Sequence, residues 1–164
     1  MSASDVSIGV EDPRAPDGVA MIAALDERMR VLYGEVEEER HALQPGRLAE
    51  LDAFFLTARC DGEAVGCGAL IPLGDGQVEI KRMWTDPAAR RGGVARAVLA
   101  ALLAEARRRG AVVAVLETGV RQPEAIALYR SEGFVVSEPF ADYEDHPDSV
   151  FMKKRLVSVE ESAA

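Results

Sequence analysis

Aromatic residues make up only 5% of this 164-residue chain, and cysteine and histidine occur twice each. A core with so few rings must rest on Ala, Val, Leu and Ile, and the 48% hydrophobic content supplies enough of them for an ordinary soluble domain. No apolar run approaches the length of a membrane-spanning helix. Met1 to Asp5 lack the basic and apolar regions of a secretory signal, so none is expected. The formal net charge of −9 argues against a general binder of nucleic acid or of anionic membrane, which needs a basic surface. Lysine is confined to positions 81, 153 and 154 while arginine is plentiful, a coding bias expected of a bacterial genome rich in G and C.

Cys60 and Cys67 flank Asp61-Gly62, a two-residue hairpin turn between apolar runs. That register pairs Cys60 with Glu63 and sets Cys67 opposite Leu56, which keeps the sulfurs beyond disulfide reach. Neither His41 nor His146 is near them in sequence, so no metal site is expected. Two reduced cysteines fit a cytoplasmic protein.

Val6 to Val10 alternates as a short edge strand does, and Glu11 to Asp17 reads as a loop. From Val19 to Tyr33, Met21, Ile22, Leu25, Met29 and Leu32 recur at helical spacing. The charge run Glu35 to Arg40 reads as a solvated face or loop, and Pro45 opens a short helix carrying Leu48 and Leu51. Phe54 to Cys60, Ala64 to Ile71 and Val78 to Thr85 follow as strands, joined by Asp61-Gly62 and Gly74-Asp75-Gly76. Such short connections make an antiparallel meander. A helix over Gly93 to Arg109 shows Val94, Val98, Ala101 and Leu102 on one stripe and stops at Gly110. Ala111 to Leu116 reads as a strand covered on both faces, Pro123 to Glu132 as a helix ended by Gly133, and Phe134 to Ser137 and Ser149 to Arg155 as closing strands. The expected architecture is one α+β domain over residues 1–164.

The most informative stretch is Asp86-Pro-Ala-Ala-Arg90-Arg91-Gly92-Gly93-Val94-Ala95-Arg96. A strand ends, Pro87 breaks the chain, and a Gly-rich turn opens a long helix whose first N–H groups form an anion site. Arg90, Arg91 and Arg96 add positive charge in an acidic chain, which suits a pyrophosphate. The loop is neither a P-loop nor a dinucleotide fingerprint. It does resemble the signature of the GCN5-related N-acetyltransferases, Gln/Arg-x-x-Gly-x-Gly/Ala, with Ala95 at the last position. Ala125-Ile-Ala-Leu128-Tyr129-Arg-Ser-Glu-Gly133-Phe134 resembles the family's second block, Ala-x-x-Leu-Tyr-x-x-x-Gly-Phe. The resemblance spans roughly Phe54 to Leu156, and Gln122 stands where many members carry Asn.

That resemblance implies a mixed, mostly antiparallel central sheet flanked by helices, and acetyl transfer from acetyl-CoA to a primary amine of a small molecule, directly in a ternary complex. It implies acetyl-CoA as cosubstrate and no metal. The expected cofactor contacts are Met83, Trp84 and Thr85 at the end of the fourth strand, the loop Arg90, Arg91, Gly92, Gly93, Val94, Ala95 and Arg96, and Gln122 and Leu128. Strands four and five are expected to splay apart there, exposing backbone groups to the pantetheine arm. Tyr129 is expected to give its proton to the departing thiol. Glu79, sharing a strand face with Lys81 and Met83, is expected to take the amine's proton unless a neighbouring cation satisfies it, with deprotonation through ordered water as the alternative. Arg82 either meets an acceptor carboxylate or pairs with Glu117. Tyr33 and Tyr143 border the acceptor cleft, and His146 reads as a loop residue. Open alternatives are a CoA-binding regulatory module, acetylation of a protein lysine or N-terminus, and a binder of another phosphate compound. A homodimer stays open as the assembly.

Overall fold

The computed structural model describes residues 5–34, 43–90 and 92–156. The charge run from Glu35 to Arg40, His41 and Arg91 lie outside them. The element order is β1 (Val6–Val10), α1 (Pro16–Tyr33), α2 (Pro45–Glu50), β2 (Phe54–Cys60), β3 (Glu63–Gly74), β4 (Gln77–Thr85), α3 (Val94–Arg108), β5 (Val113–Gly119), α4 (Pro123–Ser131), β6 (Val135–Ser137) and β7 (Ser149–Arg155). The strands form one sheet in the order β1-β2-β3-β4-β5-β7-β6. The β4–β5 ladder is parallel, whereas β1–β2, β2–β3, β5–β7 and β6–β7 pair antiparallel. This is the mixed, mostly antiparallel α+β architecture that the resemblance implied.

The chain divides into two compact units, Met1–Ile71 with Arg82–Leu102, and Pro72–Lys81 with Leu103–Ala164. Neither unit is a continuous segment, since β4 passes from one to the other between Lys81 and Arg82. In the first unit Met21, Ile22, Leu48, Phe55, Cys67, Ala69 and Ile71 form a buried cluster, against which Trp84 packs. In the second, Ala114, Val115, Leu116, Tyr129, Phe134, Phe151 and Met152 are buried.

Several boundaries differ from the sequence reading, each for a local reason. Helix α1 starts at Pro16 because proline suits a first turn that needs no N–H donor. Strand β5 starts two residues late, since the N–H of Ala111 bonds the Ala106 carbonyl and that of Val112 the Gly76 carbonyl. Phe134 precedes β6 because its N–H bonds the Tyr129 carbonyl at the end of α4. Ala101 is only half-buried, and the buried stripe of α3 runs through Val94, Val98, Leu99, Leu102, Leu103 and Ala106.

Both Asp-Gly turns carry two positive φ angles, 51° and 84° at Asp61-Gly62 and 53° and 76° at Asp75-Gly76. Cys60 does pair with Glu63, but a bulge between Ala58 and Arg59 moves Cys67 opposite Thr57 rather than Leu56. Both cysteines are free and buried, and burial pushes the Cys67 thiol up to about 12.

Close packing in the first unit depends on two glycines of β3. A Cβ on Gly66 would lie 2.7 Å from Val94 Cγ1 and 3.0 Å from the Trp84 carbonyl oxygen. One on Gly68 would lie 2.6 Å from Met83 Sδ and 2.8 Å from Val98 Cγ1. Bare backbone at these positions lets the start of α3 settle directly on the strand. Gly66→Ala is expected to cost about 1–3 kcal/mol, because the Trp84 backbone cannot step aside as a side chain can. Urea denaturation checks this, and a variant as stable as the parent would contradict the packing argument.

Candidate active site

In the first unit the chain leaves β4 through a defined sequence of bonds. The Asp86 N–H bonds the Val65 carbonyl at 2.8 Å, and Asp86 Oδ1 accepts the Ala88 N–H at 2.9 Å. A 3-10 turn over Pro87–Ala89 follows, and Gly93 adopts φ of 81°, the left-handed region that glycine reaches without strain. Helix α3 then begins at Val94, with the Ala97 N–H bonding the Gly93 carbonyl at 3.0 Å. The N–H groups of Val94 and Ala95 precede that first intrahelical donor, so the helix itself offers them no acceptor. They and the positive end of the helix dipole make an anion-binding start. Arg90 is half-buried and Arg96 exposed.

Just upstream, Arg82 adopts φ of 55°, an unusual conformation for a residue with a long side chain. Its guanidinium is buried and donates through Nη2 to Asp26 Oδ1 at 2.7 Å and to the Ile22 carbonyl at 3.3 Å. Gln44 Nε2 donates to the other Asp26 oxygen at 2.9 Å. The pairing of Arg82 with Glu117 is therefore replaced by one with Asp26. Met83, Trp84 and Thr85 follow the bend and are half-buried, as is Tyr33 at the end of α1.

The second unit gathers the ionisable groups. The parallel ladder pairs Gln77, Val78 and Glu79 of β4 with Val113, Ala114 and Val115 of β5 and ends there. Glu79 is buried, and its Oε2 accepts the Tyr143 hydroxyl at 2.6 Å and lies 3.5 Å from Lys81 Nζ. Lys81 Nζ in turn donates to the Tyr143 hydroxyl at 2.6 Å. Glu79 and Tyr143, both expected at the site, are thus in direct contact. Burial first, and then the Glu79 charge, pushes the Tyr143 phenol above its ordinary range, so it remains a neutral donor. Phe140 and Phe151 stack edge-on against its ring at 5.0 and 5.6 Å, fixing it over β7.

Glu117, on β5 beyond the end of the ladder, is the residue that sequence reasoning missed as a functional group. Burial raises its carboxyl to about 7, opposed by Lys81, assisted by the Glu79 charge and opposed again by a hydrogen bond with Ser149. The signal available was an acidic residue interrupting the apolar run at the carboxyl end of a parallel strand, where α/β sheets place ligands. Tyr129 on α4 is buried and packs edge-on against Phe134 at 5.8 Å. Burial, and then the Glu117 charge, raises its phenol above the ordinary range. Gln122 caps α4 through its backbone without a side-chain cap bond, and it and Leu128 are half-buried. His146 Nδ1 accepts the Asp148 N–H at 3.0 Å within its own exposed loop. Among the described residues no group of three or more His, Cys, Asp or Glu side chains could hold a metal ion, and no helix is long and apolar enough to cross a membrane.

Residues 20–134 match the acetyltransferase (GNAT) family. The chain is 42% identical to an IAA acetyltransferase of Azospirillum brasilense, over 93% of this chain and 99% of that protein. It is 43% identical to the N-acetyltransferase YsnE of Bacillus subtilis, over 73% of this chain and 80% of that one. Among solved structures, a Klebsiella pneumoniae protein described as an acyl-CoA N-acyltransferase superposes with a TM-score of 0.77 at 35% identity, covering 92% and 97% of the two chains. The PaiA N-acetyltransferase of Thermoplasma acidophilum, in complex with coenzyme A, superposes with a TM-score of 0.70 at 16% identity, covering 95% and 100%; this likeness concerns the fold.

The raised carboxyl of Glu117 has a consequence for stability. Between its ordinary value of 4.5 and about 7, the folded chain holds a proton that the unfolded chain has released. Stability therefore falls as pH rises through that window and stays lower above it. Glu117→Gln removes the dependence, so its stability relative to the parent should rise by about 3 kcal/mol from pH 4.5 to pH 8. Urea denaturation of both proteins at the two pH values checks this; an equal difference at both would show that Glu117 titrates normally.

Proposed function

The chain belongs to the acetyltransferase (GNAT) family and is an acetyl-CoA-dependent N-acetyltransferase, and we propose that its acceptor is the primary amine of a small molecule. We further propose direct transfer in a ternary complex, with residues 1–164 as a single acetyltransferase domain. The observation that carries the reading is the start of α3, where Gly93 at φ of 81° opens a helix N-terminus beside Arg90 and Arg96.

Binding of the pyrophosphate falls to the N–H groups of Val94 and Ala95, with Arg90, Arg91 and Arg96 supplying charge. Met83, Trp84 and Thr85 lie past the bend at Arg82, and their backbone is proposed to bond the pantetheine arm and polarise the thioester carbonyl. Gln122 and Leu128 complete the cofactor contacts. Arg82, its charge already met by Asp26, is assigned the holding of that bend rather than an acceptor carboxylate.

An acceptor ammonium has a pKa of about 10 and must lose a proton before nitrogen can attack. Glu79 already accepts the Tyr143 hydroxyl and pairs with Lys81. Glu117, poised at about 7, is the better proton acceptor at neutral pH. Nitrogen then attacks the thioester carbon, the tetrahedral adduct expels sulfur as the carbon–sulfur bond breaks, and sulfur takes the Tyr129 proton. The second proton released by nitrogen restores the Tyr129 hydroxyl. The Glu117 charge is one cause of the raised Tyr129 phenol. Once Glu117 has taken the amine's proton that charge is gone, and Tyr129 becomes the stronger acid when the thiolate needs it. Tyr33 and Tyr143 are proposed to border the acceptor, and the acidic chain favours neutral or cationic amines.

Acetyl-CoA is expected to raise the melting temperature, and Gly93→Val, which strains a left-handed position, should abolish that shift without unfolding the protein. With the best acceptor found in an amine panel that follows free CoA, Tyr129→Phe should lower kcat more than it weakens acetyl-CoA binding. An unchanged shift in the glycine variant removes the pyrophosphate assignment, and full kcat in the phenylalanine variant makes Tyr129 structural.

A further inference from the structure

Of the three lysines in the chain, two lie in β7 and the third, Lys81, sits in β4 with its side chain only 9% exposed. An ammonium withdrawn so far from water costs stability unless partners replace its hydration. Its partners are the Tyr143 hydroxyl at 2.6 Å, Glu79 Oε2 at 3.5 Å and the face of the Tyr143 ring, whose centroid lies 5.2 Å away. Glu117 lies two residues past the end of the β4–β5 ladder on β5, as Lys81 does on β4, and the Lys81 charge lowers its carboxyl. One ammonium thus serves two carboxylates. With both ionised the set carries a net charge of −1, and with one protonated it is neutral. The set has room for a single exchangeable proton.

Which carboxylate takes that proton is decided by the donors each one meets. Glu79 accepts a hydroxyl at 2.6 Å and pairs directly with the ammonium. Glu117 meets Ser149 of β7, with Lys81 and Glu79 of β4, Tyr129 of α4 and Tyr143 of the loop before β7 as the other charged or titratable groups around it. Both tyrosines stay neutral there, because burial raises them. We propose that Lys81 is a positioning residue for acetyl transfer, fixing Glu79 as its counter-ion and leaving Glu117 to carry the exchangeable proton. This rests on the reading of Glu117 as the proton acceptor. It goes beyond that reading in assigning a function to a lysine that touches no reacting atom. A lysine that merely neutralised a buried carboxylate would affect stability alone.

The two roles separate in the pH dependence of kcat at saturating acetyl-CoA and amine. The parent should lose rate in acid with a midpoint near the Glu117 value of about 7. Lys81→Met removes the charge that lowers Glu117, so the midpoint should move up by about one pH unit, while Lys81→Arg keeps the charge and should hold it near the parent's. Glu79→Gln removes the charge that raises Glu117, so the midpoint should move down. Opposite movements in these two variants are the signature of the proposed division. A midpoint unmoved in Lys81→Met overturns it. Should that variant fail to fold, Glu79→Gln decides, and a midpoint that stays or rises overturns it. Glu117→Gln separates the two failures. If the acid limb survives in that variant, Glu117 is not the base and the inference falls with it. If the limb is lost there yet stands still in Lys81→Met, Glu117 remains the base and only the assignment of Lys81 falls.

Discussion

Two parallel strands that stop pairing leave backbone and side chains to find other partners, and the end of the β4–β5 ladder at Glu79 and Val115 imposes that requirement on this fold. Glu79 is the last paired residue of β4, and Lys81 and Glu117 lie beyond it on the two strands. All three place charge where water is scarce. Burial of such groups is tolerable only when they satisfy one another, and Tyr143 is drawn down from its loop because its hydroxyl both accepts from Lys81 and donates to Glu79. One carboxylate remains less fully compensated. That shortfall in a buried set is the physical basis for proposing a proton acceptor within a structural ion cluster.

The first unit shows a different economy of parts. There the requirement is close approach, met by Gly66 and Gly68, which let Val94 and Val98 rest on β3. Seating the start of α3 on the strand holds its N-terminus in a fixed place, and a fixed N-terminus binds an anion at less entropic cost than a frayed one. Asp26, reached from α1, anchors Arg82 at the bend of β4. Packing and ion pairing here position backbone donors, whereas in the second unit they tune a carboxyl.

Features governed by neighbours along the chain are legible in the sequence alone. Both Asp-Gly hairpins, the glycine-led start of α3 and the stops at Gly110 and Gly133 depend on local backbone preference, and the four glycines of those turns and stops all have positive φ. The Tyr143–Glu79 contact is only half visible there, as two residues assigned to one cleft. What stays hidden depends on partners distant along the chain. The bulge at Ala58/Arg59 displaces Cys67 by one residue, and no turn signal marks it. Arg82 chooses Asp26, 56 residues away, over the acid that strand order suggested. Glu117 resembles any acidic residue at a strand's end until burial and the neighbouring charges are known. Its chemistry lies in its surroundings rather than in a motif.

Proton transfer by this route requires Glu117 to titrate near neutrality in the folded protein. A carbon-13 NMR titration of the glutamate side-chain carboxyls, with the Glu117 resonance assigned by its absence in Glu117→Gln, observes that proton without requiring turnover. The expected midpoint is about 7. A midpoint at the ordinary glutamate value of 4.5 would contradict it.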